Sequence, residues 1–247
     1  MTIKTYITEN VLRLYSHSGL ANRLRLFSTY REEAQKYDKK IEMHWMLQRA
    51  CWTPYDELFL PVQGIEFIYK KQSKNSKRDR PENSAISLCE IDHKKLCNFY
   101  LDIKPREEIL QEVESLISSM KRPFCACHIR RTDINRIQSK YGKSAPSNQS
   151  FFDFIEKSGC KNVFIATDNK QTQQEFLKVL GDRMITYDTI AKNGSSRYPI
   201  RTTSVRHAVI DMFTCIFSDN FMGTTCSSFT GFINDYRNGL CQQKNGL

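Results

Sequence analysis

Arg130, Arg131 and Asp133 follow directly on a mostly apolar run, Phe124-Cys125-Ala126-Cys127-His128-Ile129. The run reads as a buried strand. Charges cannot stay unpaired in a sheet core, so the two arginines and the aspartate must emerge at the strand's carboxyl edge. In open α/β sheets that edge is where ligands bind. A pair of guanidiniums there can grip a phosphate or pyrophosphate in bidentate fashion, or it can serve as a salt-bridged strand end.

Three further polar clusters sit at strand ends or helix starts. His17-Ser18-Gly19-Leu20-Ala21-Asn22-Arg23 places a glycine before a helix. There the backbone can come close to a ligand and free N–H groups can face an anion. Thr167-Asp168-Asn169 follows the apolar run Val163-Phe164-Ile165-Ala166. Its carboxylate can accept from a purine or ribose, or cap the next helix. Ser204, His207 and Asp211 share one helical face, and Thr224-Thr225-Cys226-Ser227-Ser228 opens the last helix. Those hydroxyls and amides suit a phosphate, and a plain serine N-cap is the alternative.

Other chemistries lack their signatures. There is no GxxxxGK[ST] loop, no GxGxxG, no HExxH, no GxSxG and no paired-cysteine zinc spacing. No Asp-x-Asp stands at a strand end to hold a divalent ion, so no metal is expected. The formal net charge of +10 favours anionic ligands without choosing among nucleotide, nucleic acid and membrane surface. Nine cysteines without metal-like spacing read as reduced core thiols, with Cys125 and Cys127 on one strand face. Together with the absence of a signal-like start or a membrane-length apolar run, this points to the cytoplasm.

The elements that position the clusters follow from periodicity. Strands are expected at 11–15, 41–46, 65–69, 124–129, 162–166, 184–187 and 221–222. Helices are expected at 20–37, 105–120, 149–157, 171–180, 202–217 and 227–236. Leu20, Leu24, Phe27, Ala34 and Tyr37 stripe the first helix; Ile109, Leu110, Val113, Leu116, Ile117 and Met120 stripe the second. Val205, Ala208, Val209, Met212, Phe213 and Ile216 stripe the fifth. The basic stretch 70–83 reads as a loop. Alternating strands and helices imply parallel sheets with right-handed crossovers. The expected layout is two Rossmann-like α/β halves, 1–104 and 105–247, facing a cleft.

In this order the clusters resemble the fucosyltransferase superfamily that carries a His-x-Arg-Arg-x-Asp motif, which includes nodulation, core α1,6- and protein O-fucosyltransferases. His128-Ile129-Arg130-Arg131-Thr132-Asp133 matches that signature in full. Phe164 to Asn169 is similar to its second motif, and the Asp211 helix with Phe221 to Phe229 to its third. Ser18 to Leu24 resembles its N-terminal glycine loop. The resemblance implies a GT-B fold, a nucleotide-sugar donor (GDP-fucose), a glycan or other hydroxyl acceptor, and inversion at the sugar carbon without a metal or other cofactor. It implies that Arg130 holds the β-phosphate, supported or joined by His128 and Arg131. Asp168 and Asp211 would sit near the guanine or ribose, Ser227 and Ser228 at the pyrophosphate, and Gly19, Asn22 and Arg23 would join the donor site, the last two lining the cleft from the other half.

One departure stands out. Core α1,6 enzymes carry a glutamate just beyond the motif, where this chain has Ile134-Asn135-Arg136-Ile137-Gln138. His17 and Asp133 are the candidates to take the acceptor's proton. The chain is also short for two full halves, so the acceptor side is expected to be minimal. Competing readings are a non-enzymatic basic protein that binds anions or nucleic acid, disfavoured by the ordered strand-end clusters, and a transferase using another nucleotide sugar. A sulfotransferase-like enzyme is disfavoured by the missing phosphosulfate loop.

Overall fold

The computed structural model describes residues 4–7, 10–16, 18–48, 50–71, 91–132, 144–190 and 203–246. They form two compact units, Met1–Arg106 with Asp235–Leu247, and Glu107–Asn234. The C-terminal segment thus clusters with the first unit, whereas the sequence reading gave all of 105–247 to the second. His17, Asp133 and nearly all of the basic stretch 70–83 lie outside the described residues.

In the first unit, strands β1 (Lys4–Ile7), β2 (Val11–Ser16), β3 (Lys40–Leu47) and β4 (Ile65–Lys71) form one sheet in sequence order. β2, β3 and β4 are parallel, and β1 is an antiparallel edge strand. Periodicity missed β1 because four residues are too few to show alternation. Helix α1 (Leu20–Lys36) packs on β2 and β3. Leu20, Leu24, Phe27 and Ala34 are buried as the stripe requires, but Tyr37 ends the helix as its C-cap and is 51% exposed. An aromatic core fills the unit. Tyr55 stacks on Phe67 at 3.8 Å, with Phe27 and Trp45 edge-on to both. Helix α2 (His93–Tyr100), absent from the sequence reading, packs on α1.

The second unit contains helix α3 (Glu107–Ser118), strand β5 (Phe124–Ile129), helix α4 (Asn148–Ser158), strand β6 (Asn162–Thr167) and helix α5 (Lys170–Leu180). Strand β7 (Met184–Ile185), helix α6 (Val205–Ile216), strand β8 (Asn220–Gly223) and helix α7 (Ser228–Lys244) follow. Helix α7 runs past the expected end at 236 and crosses the boundary between the units. The sheet is fully parallel in the order β7-β6-β5-β8. The chain therefore leaves β5 toward β6 and β7, then returns to the other side of β5 for β8. That reversal makes the carboxyl ends of β5 and β8 a topological switch point.

Every residue of β5 is buried, as a central parallel strand demands. Cys125, Cys127 and Ile129 join Val163 and Ile165 of β6 in a core with Phe151 and Ile155 of α4 and Phe176 and Leu180 of α5. Burial pushes the Cys125 thiol up to about 11 and the Cys127 thiol well above its ordinary value, so both behave as inert core groups. Helix α6 packs on β5, β6 and α3. It is buried at every position but Arg206, rather than along the single stripe its sequence suggested.

Two packing features anchor the second unit. Glu112 of α3 receives Arg206 Nη1 and Nη2 at 2.8 and 2.6 Å and the Tyr187 hydroxyl at 2.5 Å. These bonds, Arg206 first, hold its carboxyl down at about 2. At the end of β8, a Cβ on Gly223 would lie 2.4 Å from Thr230 Cγ2 and 2.6 Å from its Oγ1. Thr230 is buried and cannot swing aside, because its Oγ1 is also 2.8 Å from His128 Nδ1.

Two outcomes follow from these features. Gly223→Ala should cost about 1–3 kcal/mol in denaturant unfolding, as overpacking does. The same substitution should cost much less in a Thr230→Ala background, because the clashing atoms are gone; equal costs in both backgrounds would remove Thr230 as the cause. For Glu112 the depressed value means that its contribution is complete above the ordinary 4.5 and is lost as pH falls toward about 2. The Tm gap between wild type and Glu112→Gln should accordingly be open at pH 6 and narrow steadily below pH 4.5; a gap that widens on acidification would contradict the pairing.

Candidate functional site

Where β5 ends, its charged residues are received on both sides. The Arg130 amide donates to Thr224 Oγ1 at 2.9 Å, and the Thr224 amide donates to the His128 carbonyl at 2.9 Å. On the other flank the Arg131 amide donates to Asp168 Oδ1 at 2.8 Å and the Thr132 amide to the same oxygen at 3.4 Å. Thr132 Oγ1 donates to the Asp168 carbonyl, and Thr167 Oγ1 to the Ile129 carbonyl. Three of the four clusters thus meet: the arginine motif, Thr167-Asp168-Asn169, and the turn that opens α7. The parallel register explains this, since Ile129 pairs with Thr167 and His128 with Gly223.

The two arginines have different surroundings. Arg131 is half-buried and turned to the chain before α4. Its Nη2 donates to the Pro146 carbonyl at 2.9 Å and to Asn148 Oδ1 at 2.7 Å, and its Nη1 to the Arg130 carbonyl at 3.3 Å. Its guanidinium also lies over the Phe151 ring, and burial lowers its pKa from the ordinary arginine value. Arg131 therefore braces the 146–148 segment, a role the sequence reading did not consider. Arg130 is half-buried at the switch point, with its backbone fixed against the start of α7.

His128 is buried, stacked on Phe229 at 4.6 Å and bonded to Thr230. Burial, aided by the charge of Arg130, drives its pKa down to about 3. It is neutral at physiological pH, so it cannot supply positive charge to a phosphate. What it does is tie β5 to the first turn of α7. Thr230 and Phe229 were not singled out from sequence; only the helical spacing of Thr230 from Ser227 hinted at them.

Asp168 receives backbone amides, so Asn169 is the residue that caps α5, accepting from the Thr172 amide at 2.8 Å. Asp92, Ser147 and Ser204 likewise cap α2, α4 and α6 with their side chains. Ser227 does not follow them. It holds the N-cap position of α7, since its carbonyl accepts from the Gly231 amide at 2.9 Å. Yet its Oγ is buried and has no hydrogen-bond partner. The serine cap considered from sequence is not made. Just before it, exposed Cys226 holds a left-handed φ of 62°, rare for a residue with a side chain and common at functional turns. The first-turn amides of α7, with half-buried Ser228 at their head, have no intrahelical carbonyl to meet. This end of the helix can take an anion.

Asp211 lies on α6, buried, with Oδ2 3.4 Å from His207 Nε2; the edge of His207 meets Tyr187. The helical face drawn from sequence is therefore real, with Ser204 as its cap. In the first unit, Gly19 is the N-cap of α1, φ −69°, with open space where a Cβ would stand and no side-chain cap. Asn22 is half-buried in the first turn. Arg23 is fully buried; its Nε donates to the Ser18 carbonyl at 2.7 Å and its guanidinium lies over Trp45. Among the described residues no helix is long and apolar enough to cross a membrane.

Known structures share this arrangement of elements. NodZ α-1,6-fucosyltransferase soaked with GDP-fucose is 14% identical, with a TM-score of 0.59 over 93% of both chains. Fucosyltransferase NodZ from Bradyrhizobium reaches a TM-score of 0.60 at 14% identity, over 92% of this chain and 93% of that one. The POFUT1 apo-form gives 0.63 at 11% identity, over 96% of this chain and 97% of that one. At such identities the likeness is one of fold, an α/β fold with parallel sheets. No curated protein matches the chain. A family model, GDP-fucose protein O-fucosyltransferase, matches residues 66–240, a span that holds β5, β6, β8 and the whole site around Arg130. The chain belongs to the GDP-fucose protein O-fucosyltransferase family.

Proposed function

We propose that this chain transfers fucose from GDP-fucose to a hydroxyl acceptor, with inversion at the sugar carbon and without a metal ion. The observation that carries the donor site is the uncapped start of α7 beside Arg130. The buried Ser227 Oγ, without a hydrogen-bond partner among the described residues, and the first-turn amides lie just past the β5/β8 switch point, where Thr224 of the preceding turn accepts the Arg130 amide. The crystal structures of NodZ soaked with GDP-fucose and of POFUT1 with GDP support this choice of nucleotide.

In the reaction the bond from the anomeric carbon to the β-phosphate oxygen breaks, and its electron pair stays on the diphosphate. The acceptor oxygen bonds to that carbon from the opposite face and gives up its proton. Negative charge on the leaving diphosphate grows toward the transition state. A preorganised guanidinium and fixed amide dipoles stabilise that growth more than the ground state. The same charges take the place a divalent cation would hold. Asp168 shapes the motif by holding the Arg131 and Thr132 amides, which leaves nucleoside contact to Asp211 or to its own remaining oxygen. His17 or Asp133 accepts the proton, and Gly19 and Asn22 serve substrate binding, whereas Arg23, fully buried over Trp45, braces the glycine loop through the Ser18 carbonyl and does not meet substrate as the sequence suggested. Buried free thiols at Cys51, Cys97, Cys125, Cys127, Cys160 and Cys215 support a reducing, cytoplasmic setting.

Arg130→Ala should lower kcat by about 10²–10³-fold, the usual loss for a group that stabilises a developing oxyanion. Its Tm should stay close to wild type; near-normal GDP release in that variant would refute the role. Thermal shift with GDP, UDP, ADP and a DNA oligomer tests the ligand class. Stabilisation by GDP alone is expected, reduced in Ser227→Ala. Stabilisation by DNA alone, erased by salt, would favour the anion-binder reading instead. Adding Mg²⁺ or Mn²⁺ to chelator-treated protein should leave the rate unchanged, and a rate that needs either ion would overturn metal independence.

A further inference from the structure

The first unit holds a cluster that the transfer reaction does not use. His93 opens α2, Cys97 stands one turn later on the same face, and Asp235 of α7 faces both. His93 Nε2 lies 3.0 Å from Asp235 Oδ1 and 3.8 Å from Cys97 Sγ, and one ligand atom from each residue falls within 4.8 Å of the others. Asp92, the neighbouring acid, is occupied in capping α2 through the Lys95 amide.

These separations have a chemical meaning. A tetrahedral ion with bonds of about 2.0–2.1 Å to nitrogen and oxygen and about 2.3 Å to sulfur holds its ligand atoms roughly 3.3–3.6 Å apart. The His93–Asp235 and His93–Cys97 separations bracket that range and the third pair lies within 4.8 Å, so side-chain adjustment brings all three atoms to one small ion. An imidazole–carboxylate hydrogen bond alone explains the His93–Asp235 contact. Helical i, i+4 spacing adds the Cys97 thiol, 3.8 Å from Nε2 and 3.9 Å from Nδ1 of the same ring, as a soft third donor.

The helix crossing gives a second, independent indication. Gly239 lies one turn after Asp235 on α7, and a Cβ there would be 2.6 Å from the Cys97 carbonyl oxygen. Glycine inside a helix costs roughly 0.5–1 kcal/mol relative to alanine. Here it lets two backbones meet within a turn of the cluster, which brings the Asp235 carboxylate within reach of Cys97 and His93. The approach is built at the level of the backbone rather than by a flexible side chain finding a neighbour.

We propose that His93, Cys97 and Asp235 form a binding site for a divalent transition metal of the zinc class, which fastens α7 to α2. The donor set of one imidazole, one thiolate and one carboxylate suits a borderline-soft ion and disfavours calcium and magnesium, which take oxygen ligands. Three protein ligands leave a fourth corner on the solvent side, where His93 is 65% exposed. Burial, and then the Asp235 charge, raise the Cys97 thiol to about 11. Binding replaces that thiol proton, which leaves to solvent, and the metal–sulfur bond takes its place. The site is independent of the fucosyl-transfer reading and stands or falls apart from it.

Cobalt(II) titration of the full-length, metal-stripped protein tests it, in a non-thiol reductant and with Cys89, Cys226 and Cys241 replaced by serine. One equivalent per chain should bind and give a near-ultraviolet thiolate-to-cobalt charge-transfer band with tetrahedral visible bands. Cys97→Ser should abolish the charge-transfer band, and His93→Gln and Asp235→Asn should each weaken binding by at least about tenfold. Zn²⁺ should raise Tm in wild type and not in His93→Gln. Because His93 is largely exposed, that variant keeps its fold and decides the matter even if Cys97→Ser does not. No band, a band that survives Cys97→Ser, or wild-type affinity in His93→Gln would each reduce the cluster to an ordinary hydrogen-bonded helix crossing.

Discussion

A strand buried along its whole length can carry charge only where it stops. β5 is such a strand, and the site depends on how its carboxyl end is received. Its terminal amides would be orphaned by the end of the ladder. Asp168 and Thr224 accept them instead, one from each neighbouring segment. Charge-assisted acceptance at Asp168 is stronger than a neutral bond and points the motif's backbone outward. Without these two acceptors the arginines would stand on a loop, and a loop cannot hold a guanidinium to the tolerance that stabilising a transition state requires.

The same end of the sheet explains why α7 is left uncapped. Placing β8 beside β5 after the excursion to β6 and β7 creates the switch point, and α7 begins directly beyond it. Helices α2, α4, α5 and α6 satisfy a first-turn amide with an N-cap side chain. At α7 the cap position is serine, but its hydroxyl is buried and unspent. A buried hydroxyl without a partner costs about 1–3 kcal/mol. An anion seated on the first-turn amides of α7 would recover that cost. The left-handed Cys226 and the close packing at Gly223 point the same way, since both add strain or restriction at that turn.

Periodicity made most of this architecture legible. The run 124–129 matched β5 to the residue, because a fully buried strand is an unbroken apolar run closed by charge. Helices α3 to α6 followed from their apolar spacing. What was missed has physical reasons. β1 is too short to alternate, and α2 carries three buried side chains in eight residues, too few for a periodic signal. Tyr37 matched the stripe of α1 in spacing but falls after its last turn. The end of α7 was lost because its composition becomes polar beyond Tyr236 while the helix continues. In the site, residue types announced an anion grip, but not which groups do structural work. Partners such as Thr230 to His128 and Pro146 to Arg131 lie far apart in sequence, and no local pattern encodes them.

That division of labour resolves the adjacent arginines. Successive residues leaving a strand point to opposite sides, so Arg130 and Arg131 cannot share one environment. Arg131 goes to the flank of α4, where a planar fork can donate to a carbonyl and an amide oxygen at once while lying over Phe151. A lysine could reach one of those acceptors but would lose the fork and the stacking, so the position calls for arginine on structural grounds alone. Arg130 is held through its backbone on the other flank, by Thr224 of the turn that leads into α7, whose helix start also favours an anion. Burial keeps the nearby His128 neutral, and the Arg130 cation adds to that effect. The motif thus combines a buried neutral imidazole that fixes the helix, a guanidinium that fixes the neighbouring segment, and a guanidinium placed where charge can be used. Three basic residues of the hexapeptide, one histidine and two arginines, serve three physical ends, which is why the hexapeptide is informative where a bare pair of arginines is not.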